Sequence, residues 1–258
     1  MPQTKIVFFD IDGTLIDMQA KKITPKMLET LHRLQDRGIK ICIATGRSPM
    51  VLPKIDGVAF DAHLTFNGSL CYDRKGVIFS NPIPHKDVVR FIQNAAALGR
   101  PVCVSTRDRL AANGTDTDLT DYFFIANEPV PVADDFDAVC AEDIYQLMLG
   151  CRPKDYPALL DGAPGAKIAA WWDRAVDVIP AGGGKGIGIE KMLAYYGLDK
   201  AEALAFGDGN NDREMLQAVG TGVAMENGSP ELKALADEIC GPVYEDGIYH
   251  YCADKGLI

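Results

Sequence analysis

The sequence predicts an α/β protein with a parallel-sheet core built from both ends of the chain and an α+β domain inserted between them. Short apolar strands alternate with helical segments near the N-terminus and again after residue 184, which is typical of parallel sheets covered by helices on both faces. The middle of the chain is richer in strand-like segments. Linkers with Pro82 and Pro84 on one side, and Gly182, Gly183 and Gly184 on the other, bound it. We therefore expect a core of residues 1–82 and 183–258 and an inserted domain of residues 83–182.

The first third of the chain contains three predicted strands and one predicted helix. Residues 6–9 are an apolar run that reads as a short buried strand. Thr24 is a suitable helix N-cap, Pro25 suits the first helical turn, and Gly38 suits the end of the helix. Two more buried strands are predicted at residues 39–44 and 63–66. Since active sites in such sheets lie at the carboxyl ends of the strands, the polar residues that follow these strands are the candidate site.

The remaining elements follow from the same patterns of apolar residues and turn residues. In the inserted part we predict helices at 86–98 and 155–160, and strands at 101–106, 122–126, 144–149, 166–172 and 176–179. In the last third we predict helices at 185–196, 213–218 and 230–236, and strands at 203–206 and 221–225. Gly197 is the expected C-cap of the first of these helices, and Ser229 is the expected N-cap of the last.

Charge and composition limit the class of partner. The chain has 258 residues and a formal net charge of −10, which argues against nucleic acid or an anionic membrane as the main partner. No apolar run is long enough to span a bilayer, and we expect no signal peptide. The seven cysteines are scattered and contain no Cys-x-x-Cys pair, so we expect reduced, mostly buried thiols in a cytoplasmic protein.

Two aspartates directly follow the first strand. Asp10 and Asp12 are two residues apart, and Gly13 then breaks the apolar run. Carboxylates at the end of a buried strand repel each other and lose hydration, so a cation, a proton or a substrate is needed to offset that cost. Paired carboxylates can divide the roles of nucleophile or metal ligand and of acid and base. The alternative is an ordinary Asp-Gly turn.

A second acidic segment follows the strand predicted at 203–206. Asp208 and Asp212 lie in a loop with two glycines and two asparagines, and they could join Asp10 around one hard cation. Oxygen ligands favour magnesium over zinc. An ordinary polar loop is the alternative, but the matching acidic strand end at Asp10 favours a site.

The other two candidate segments suit the binding of phosphate. Thr45, Gly46 and Arg47 end the second strand, where a hydroxyl and backbone N–H groups can bind phosphate oxygens. Lys185 begins a helix, which is electrostatically unfavourable for a cation unless an anion is bound nearby. The alternatives are a helix capped by Ser48 and a solvated lysine.

Four motifs in this order resemble those of the haloacid dehalogenase-like hydrolases. They are Asp-x-Asp-Gly-Thr from Asp10, Thr-Gly-Arg from Thr45, the lysine after the insertion, and Gly-Asp-Gly-x-Asn-Asp from Gly207. The resemblance covers essentially the whole chain, and four motifs in order with the insertion between the second and third are highly specific. The insertion, Asn67-Gly68 and the segment 223–227 are similar to the Cof-type sugar-phosphatase-like branch (subclass IIB). In that segment Glu226 stands where the branch often has glycine.

The resemblance implies a Rossmann-like core, an inserted cap that closes over the site and chooses the leaving group, and the following roles. Asp10 would be the nucleophile that becomes an aspartyl phosphate, and Asp12 the general acid and base. Mg²⁺ would be held by the Asp10 carboxylate, the Asp12 carbonyl and Asp208, with Asp212 orienting these ligands directly or through water. Thr45, Lys185 and Asn211 would hold the phosphoryl oxygens, and Gly46 and Arg47 would lie at the same subsite.

The implied activity is a Mg²⁺-dependent phosphatase for a small phosphorylated metabolite, with a sugar phosphate as the preferred class. We expect a monomer or a small homo-oligomer. One alternative is a phosphomutase of the same superfamily, which differs in the acceptor of the phosphoryl group. The other is a non-catalytic regulatory protein that binds a phosphorylated ligand, and the intact Asp10, Asp12, Lys185 and Asp208 argue against it.

Overall fold

The computed structural model describes residues 3–125, 127–170 and 172–258. The chain divides into two compact units. One unit contains residues 1–47, 53–80 and 184–258, and the other contains residues 48–52 and 81–183. The assignment of catalysis to one part of the chain and of substrate choice to the other stays a prediction.

The N-terminal part of the first unit begins with the elements that the sequence predicts and adds a hairpin that it does not. Thr24 caps its first helix by accepting a hydrogen bond from the Met27 N–H at 3.1 Å. Its elements are β1 (Ile6–Phe9), α1 (Pro25–Asp36), β2 (Lys40–Ala44), β3 (Ala62–Thr65), β4 (Leu70–Asp73) and β5 (Gly76–Ser80). The hairpin of β4 and β5 was not predicted, although the Asp73 carboxylate accepts from the N–H of Lys75 and of Gly76, which is a local turn signal.

The second unit is an antiparallel sheet with helices packed against it. Its elements are α2 (His85–Ala97), β6 (Cys103–Ser105), β7 (Leu110–Ala112), α3 (Thr117–Phe124), α4 (Phe136–Val139), β8 (Gln146–Gly150), α5 (Tyr156–Leu160), β9 (Ala166–Ala169) and β10 (Ala175–Pro180). Within the described residues its five strands pair in the order β7-β6-β8-β10-β9. One face of the sheet packs on a large apolar cluster that includes Phe91, Leu147 and Val176.

The strand predicted at 122–126 is wrong. Residues up to Phe124 belong to helix α3, and Ala126 lies outside the described residues, as does Trp171 of the strand predicted at 166–172. Asp116 caps α3 by accepting from the Leu119 N–H at 2.8 Å. Leu119 and Phe123, four residues apart, then share one face of the helix and pack on the sheet. This packing overrides the strand preference of the aromatic residues.

The C-terminal part returns to the sheet of the first unit. Its elements are α6 (Lys185–Tyr196), β11 (Ala203–Gly207), α7 (Arg213–Gln217), β12 (Thr221–Met225), α8 (Pro230–Leu235), β13 (Glu238–Cys240) and α9 (Gly247–Asp254). Gly197 ends α6 in the left-handed conformation, and Ser229 caps α8, as predicted. Strand β13 and helix α9 were not predicted. Glu226 is outside the left-handed region of backbone conformation, so its position does not require glycine.

Eight strands of the described chain form one mostly parallel sheet in the order β13-β12-β11-β1-β2-β3-β4-β5. The strands from β13 to β3 are parallel, and the hairpin of β4 and β5 adds two antiparallel strands. This confirms the predicted α/β class, with a mixed rather than purely parallel core sheet. Buried side chains such as Ile6, Phe8 and Ala205 pack against α6 and α7 on one face. All seven cysteines are buried and unpaired.

Candidate active site

Strand register brings together the acidic segments that follow β1 and β11. Strand β1 pairs with β11 so that Phe9 lies opposite Phe206, and with β2 so that Phe9 lies opposite Ile43. The Asp10 N–H donates to the Phe206 carbonyl at 3.0 Å. Residues that directly follow parallel strands meet at one edge of the sheet, so Asp10, Asp208 and Thr45 are adjacent because of the sheet topology.

Three carboxylates converge at this edge. Asp10, Asp208 and Asp212 each offer one oxygen, and these oxygens lie within 4.8 Å of one another. Asp10 and Asp212 are buried, and Asp208 is half-buried. Carboxylate oxygens at this separation match the donor set of a hard divalent cation, because Mg²⁺ binds oxygen at about 2.1 Å and ligands on opposite sides of it are about twice as far apart.

Lys185 joins the three carboxylates from the first position of helix α6. Its Nζ lies 2.6 Å from Asp10 Oδ1 and 2.5 Å from Asp212 Oδ1, and its side chain has no exposed surface. Burial lowers the pKa of Lys185, but the Asp10 and Asp212 carboxylates outweigh burial and the net shift is upward. When all three carboxyl groups are ionised, the single Lys185 ammonium leaves a net charge of −2, which a divalent cation would neutralise.

The acidic side chains show the electrostatic cost of this crowding. Burial raises the pKa of Asp10 well above its usual range, and the nearby Asp212 and Asp208 carboxylates add to the rise against the opposing effect of Lys185. Burial likewise raises the pKa of Asp208 to about 7, with a further contribution from Asp212. Lys185 offsets only part of this repulsion, and the three carboxylate oxygens that lie within 4.8 Å of one another could hold a further cation.

Asp212 holds the acidic loop in place. While its Oδ1 accepts from Lys185, its Oδ2 accepts from the backbone N–H of Asp208 at 3.0 Å and of Gly209 at 2.9 Å. Both oxygens of this fully buried carboxylate therefore already have partners. This arrangement favours the orienting role that the resemblance implies for Asp212.

Two residues that follow Asp12 in the chain contact the Asp208 carboxylate. Thr14 Oγ1 donates to Asp208 Oδ1 at 3.1 Å. Gly13 has a φ of +86°, and a Cβ at this position would overlap the Asp208 carboxylate. The Asn227 amide donates to the Gly13 carbonyl at 2.8 Å. Thr14 and Asn227 were not among the predicted site residues, although both belong to motifs that the sequence displays.

Asp12 lies in a two-point ion pair with Arg47. Arg47 Nε donates to Asp12 Oδ2 at 2.8 Å, and Arg47 Nη2 donates to Asp12 Oδ1 at 2.6 Å. About a third of each side chain is exposed. The hydrogen bonds with Asp12 raise the pKa of Arg47. In this structure Arg47, a predicted phosphate-binding residue, contacts the predicted acid and base.

The remaining predicted residues contact the same loops. Thr45 Oγ1 accepts from the Arg47 N–H at 3.2 Å, and Thr45 is almost fully buried. Asn211 Nδ2 donates to Asn67 Oδ1 at 3.0 Å, and the Asn67 amide also lies against Gly46. Sequence reasoning did not assign Asn67 to the site, although the Asn67-Gly68 signal after the third strand was noted.

A sequence comparison decides the family. The model of the haloacid dehalogenase-like hydrolases matches residues 7–252. This chain belongs to the haloacid dehalogenase-like hydrolases. Its similarity to relatives and its fold place it in the Cof-type branch, subclass IIB, as the motifs predicted, and it is a phosphatase of that family.

Similar proteins cover nearly the whole chain. A Bacillus subtilis protein named "Putative phosphatase YkrA" is 34% identical over 257 residues, which is 99% of both chains. The B. subtilis 5-amino-6-(5-phospho-D-ribitylamino)uracil phosphatase YitU is 28% identical and covers 95% of each chain. The solved structure of the subclass IIB sugar phosphatase BT4131 superposes on this structure with a TM-score of 0.88, and the two sequences are 28% identical. The superposition covers 99% of this chain and 100% of the BT4131 chain.

Among the residues that the structure describes, no helix combines the length and the apolar character needed to cross a bilayer.

Proposed function

We propose that the protein is a Mg²⁺-dependent phosphatase that hydrolyses a small phosphorylated metabolite, with a sugar phosphate as the substrate class, through an aspartyl phosphate at Asp10. The observation that carries the proposal is the buried cluster of Asp10, Lys185 and Asp212 beside Asp208. A carboxylate cannot approach a phosphate dianion until the negative charge around it has been neutralised. Lys185 supplies one positive charge, and the oxygen donors suit a divalent cation that supplies the rest.

The residues that would hold Mg²⁺ are Asp10 and Asp208, with the Asp12 carbonyl as the further ligand implied by the family. Asp212 would keep Asp208 in place through the backbone bonds described above. Bound Mg²⁺ would neutralise negative charge on the carboxylates and on the phosphoryl oxygens. The raised pKa of Asp208, about 7, supports this assignment because a nearby cation would favour its ionised form.

The chemical steps then use the two aspartates of the first motif. An Asp10 carboxylate oxygen attacks phosphorus, the bond from phosphorus to the ester oxygen breaks, and Asp12 gives its proton to the leaving alkoxide. Water next attacks phosphorus of the aspartyl phosphate, Asp12 takes a proton from that water, and inorganic phosphate leaves with the Asp10 carboxylate restored. Asp12 can act in this way only after it has separated from Arg47 and taken up a proton from solvent, and the proton that it later takes from the attacking water restores this form for the next turnover.

The substrate's phosphoryl group gives Arg47 another anionic partner. We propose that Arg47 binds a phosphoryl oxygen or the substrate when a phosphate ester enters, which releases Asp12 for proton transfer. Thr45, Gly46 and Asn211 would donate to the other oxygens, together with Lys185. Exchange of one anionic partner for another explains why a residue assigned to phosphate binding contacts the acid and base in the free protein.

The substrate class rests on similarity to named phosphatases. BT4131 is a sugar phosphatase, and YitU acts on a phosphorylated ribitylaminouracil, so both names point to small phosphorylated metabolites. We assign the choice of leaving group to residues 83–182. The seven buried, unpaired cysteines support a cytoplasmic location, and we propose a monomer or small homo-oligomer.

Asp10→Asn tests the nucleophile. With Mg²⁺ and a panel of phosphorylated sugars and cofactors, we expect phosphate release to fall at least about 1,000-fold in this variant. The melting temperature should change little, since an asparagine oxygen still accepts from Lys185. Asp36→Asn, which changes an exposed aspartate at the end of α1, is the matched control and should keep full activity. Normal turnover by Asp10→Asn would exclude the mechanism, and isomer formation without phosphate release would indicate a mutase.

A further inference from the structure

The turn that follows β3 has an unusual backbone. Three consecutive residues adopt positive φ angles, namely Phe66 at 51°, Asn67 at 52° and Gly68 at 91°. The left-handed region is sterically costly for a bulky residue such as phenylalanine and is tolerated best by glycine and asparagine. Such a conformation persists only where the surrounding contacts impose it, and these often lie at functional sites.

The backbone of this turn holds the loop that follows β2. The Phe66 N–H donates to the Arg47 carbonyl at 3.0 Å, and the Asn67 N–H donates to the Thr45 carbonyl at 3.0 Å. Both partners are in the Thr-Gly-Arg segment that we assign to phosphate binding. The left-handed turn therefore directs two successive N–H groups at that segment.

The same turn lies against the start of helix α6. A Cβ on Gly68 would overlap the Gly184 carbonyl oxygen and would come within 3.2 Å of Lys185 Cα. Glycine at position 68 thus allows the backbone that carries Lys185 to approach closely.

The Asn67 side chain provides the third connection. It is 3% exposed, its Oδ1 accepts from Asn211 Nδ2 at 3.0 Å, and its amide lies about 3.1 to 3.2 Å from the position of a Cβ on Gly46. A single residue therefore contacts both the Thr-Gly-Arg segment and the loop that carries Asn211. An acceptor at this position fixes the direction of the Asn211 amide.

We propose that Asn67 is a positioning residue for phosphoryl transfer, which acts by orienting the Asn211 amide and the Thr45–Arg47 segment toward the phosphoryl oxygens. The inference rests on the proposed phosphatase function and adds a residue outside the four motifs. Asn67 contacts neither Asp10 nor Asp208 in any bond found among the described residues, so its effect falls on phosphate and not on the cation.

The variant Asn67→Gly distinguishes the contribution of the Asn67 side chain from that of its backbone N–H. Glycine adopts a φ of 52° without strain, so the variant keeps the bond to Thr45 and loses only the amide side chain. Asn127→Gly is the matched control, because Asn127 also has a positive φ, of 58°, and is exposed. Both variants would be assayed as full-length protein with p-nitrophenyl phosphate and Mg²⁺, and inorganic phosphate binding would be measured by calorimetry.

We expect Asn67→Gly to lower kcat/KM about 10- to 100-fold and to weaken inorganic phosphate binding by a similar factor. The Mg²⁺ concentration for half-maximal activity should stay within about twofold, and Asn127→Gly should match the parent protein. A merely structural role would lower the melting temperature without this selective effect on phosphate. Unchanged phosphate binding, or an equal weakening of Mg²⁺ activation, would overturn the inference.

A double-mutant cycle with Asn211→Ala tests the route of the effect. Since part of the effect of the Asn67 side chain passes through Asn211, the loss in the double variant should be smaller than the product of the two single losses. Losses that multiply would show that Asn67 acts independently, against the proposal. If Asp10→Asn is inactive while Asn67→Gly equals the parent, only this inference fails. If Asp10→Asn stays active, the proposed function itself fails, and the phosphate-binding comparison still decides the role of Asn67.

Discussion

Lys185 Nζ lies 2.5 Å from Asp212 Oδ1, and neither side chain has any exposed surface. Through its other oxygen Asp212 holds the N–H groups of Asp208 and Gly209, so one buried carboxylate connects the start of α6 to the acidic loop after β11. A change at Lys185 should therefore affect both the charge at Asp10 and the geometry of the candidate metal ligands.

Lys185→Met should be inactive and strongly destabilised. It leaves Asp10 and Asp212 buried without their cation, and breaking a buried ion pair from one side costs about 3–5 kcal/mol. Urea denaturation in the presence of a chelator measures this loss, and added Mg²⁺ should restore part of it.

Lys191→Met is the control for this prediction. Lys191 lies on the same helix but is exposed, with its Nζ 5.6 Å from the centroid of the Phe79 ring, a contact worth about 0.5–1 kcal/mol. A loss of stability in Lys185→Met no larger than in this control would contradict the prediction that the buried ion pairs of Lys185 stabilise the fold.

Mg²⁺ affinity should rise with pH through about 7, and Asp208→Asn should weaken it. Asp208 must lose its proton to bind the cation, and its pKa in the metal-free protein is about 7. Calorimetric titrations between about pH 5.5 and about pH 8.5, a range that spans this pKa, measure the effect. A pH-independent affinity would contradict the prediction.

The stability of the metal-free protein should show the opposite trend. An acid whose pKa is raised on folding keeps its proton in the folded state, so the unfolded state loses protons first as pH rises. Asp208 therefore makes the free energy of unfolding fall between its usual pKa near 3.8 and about 7. Asp208→Asn should flatten this part of the stability curve measured with a chelator present, and an unchanged slope would exclude Asp208 as its source.

Arg47→Lys should weaken substrate use despite the retained charge. A lysine cannot form the two parallel hydrogen bonds that Arg47 makes with Asp12 and that suit a phosphoryl group. We expect kcat/KM to fall about tenfold, equivalent to about 1.4 kcal/mol. Steady-state kinetics should place much of this loss in KM. Arg33→Lys, which changes an exposed pair with Glu29 on α1, should have no effect, and an equal loss in that variant would make the Arg47 result nonspecific.

Local signals predicted much of the fold. Caps at Thr24 and Ser229 and the left-handed Gly197 are set by side-chain and backbone preferences within a few residues, and the structure has each of them as predicted. The prediction of a strand at 122–126 was wrong because contacts with distant residues, and not local preferences, decide the structure there. Aromatic residues there favour a strand locally, but packing of Leu119 and Phe123 on a sheet made of distant residues selects a helix.

Some features of the candidate site could likewise be predicted from the local sequence, and others depend on the tertiary structure. Acidic residues after apolar strands could be recognised in the sequence because the cost of burying charge depends on residue type and burial alone. By itself the sequence determined the α/β class, the family and the residue types at the strand ends. Only the tertiary structure decided that Asp12 pairs with Arg47, that Asp212 holds the acidic loop, and that Asn67 contacts Asn211. These partners are set by strand register and by the conformation of loops far apart in the chain, which no local pattern encodes.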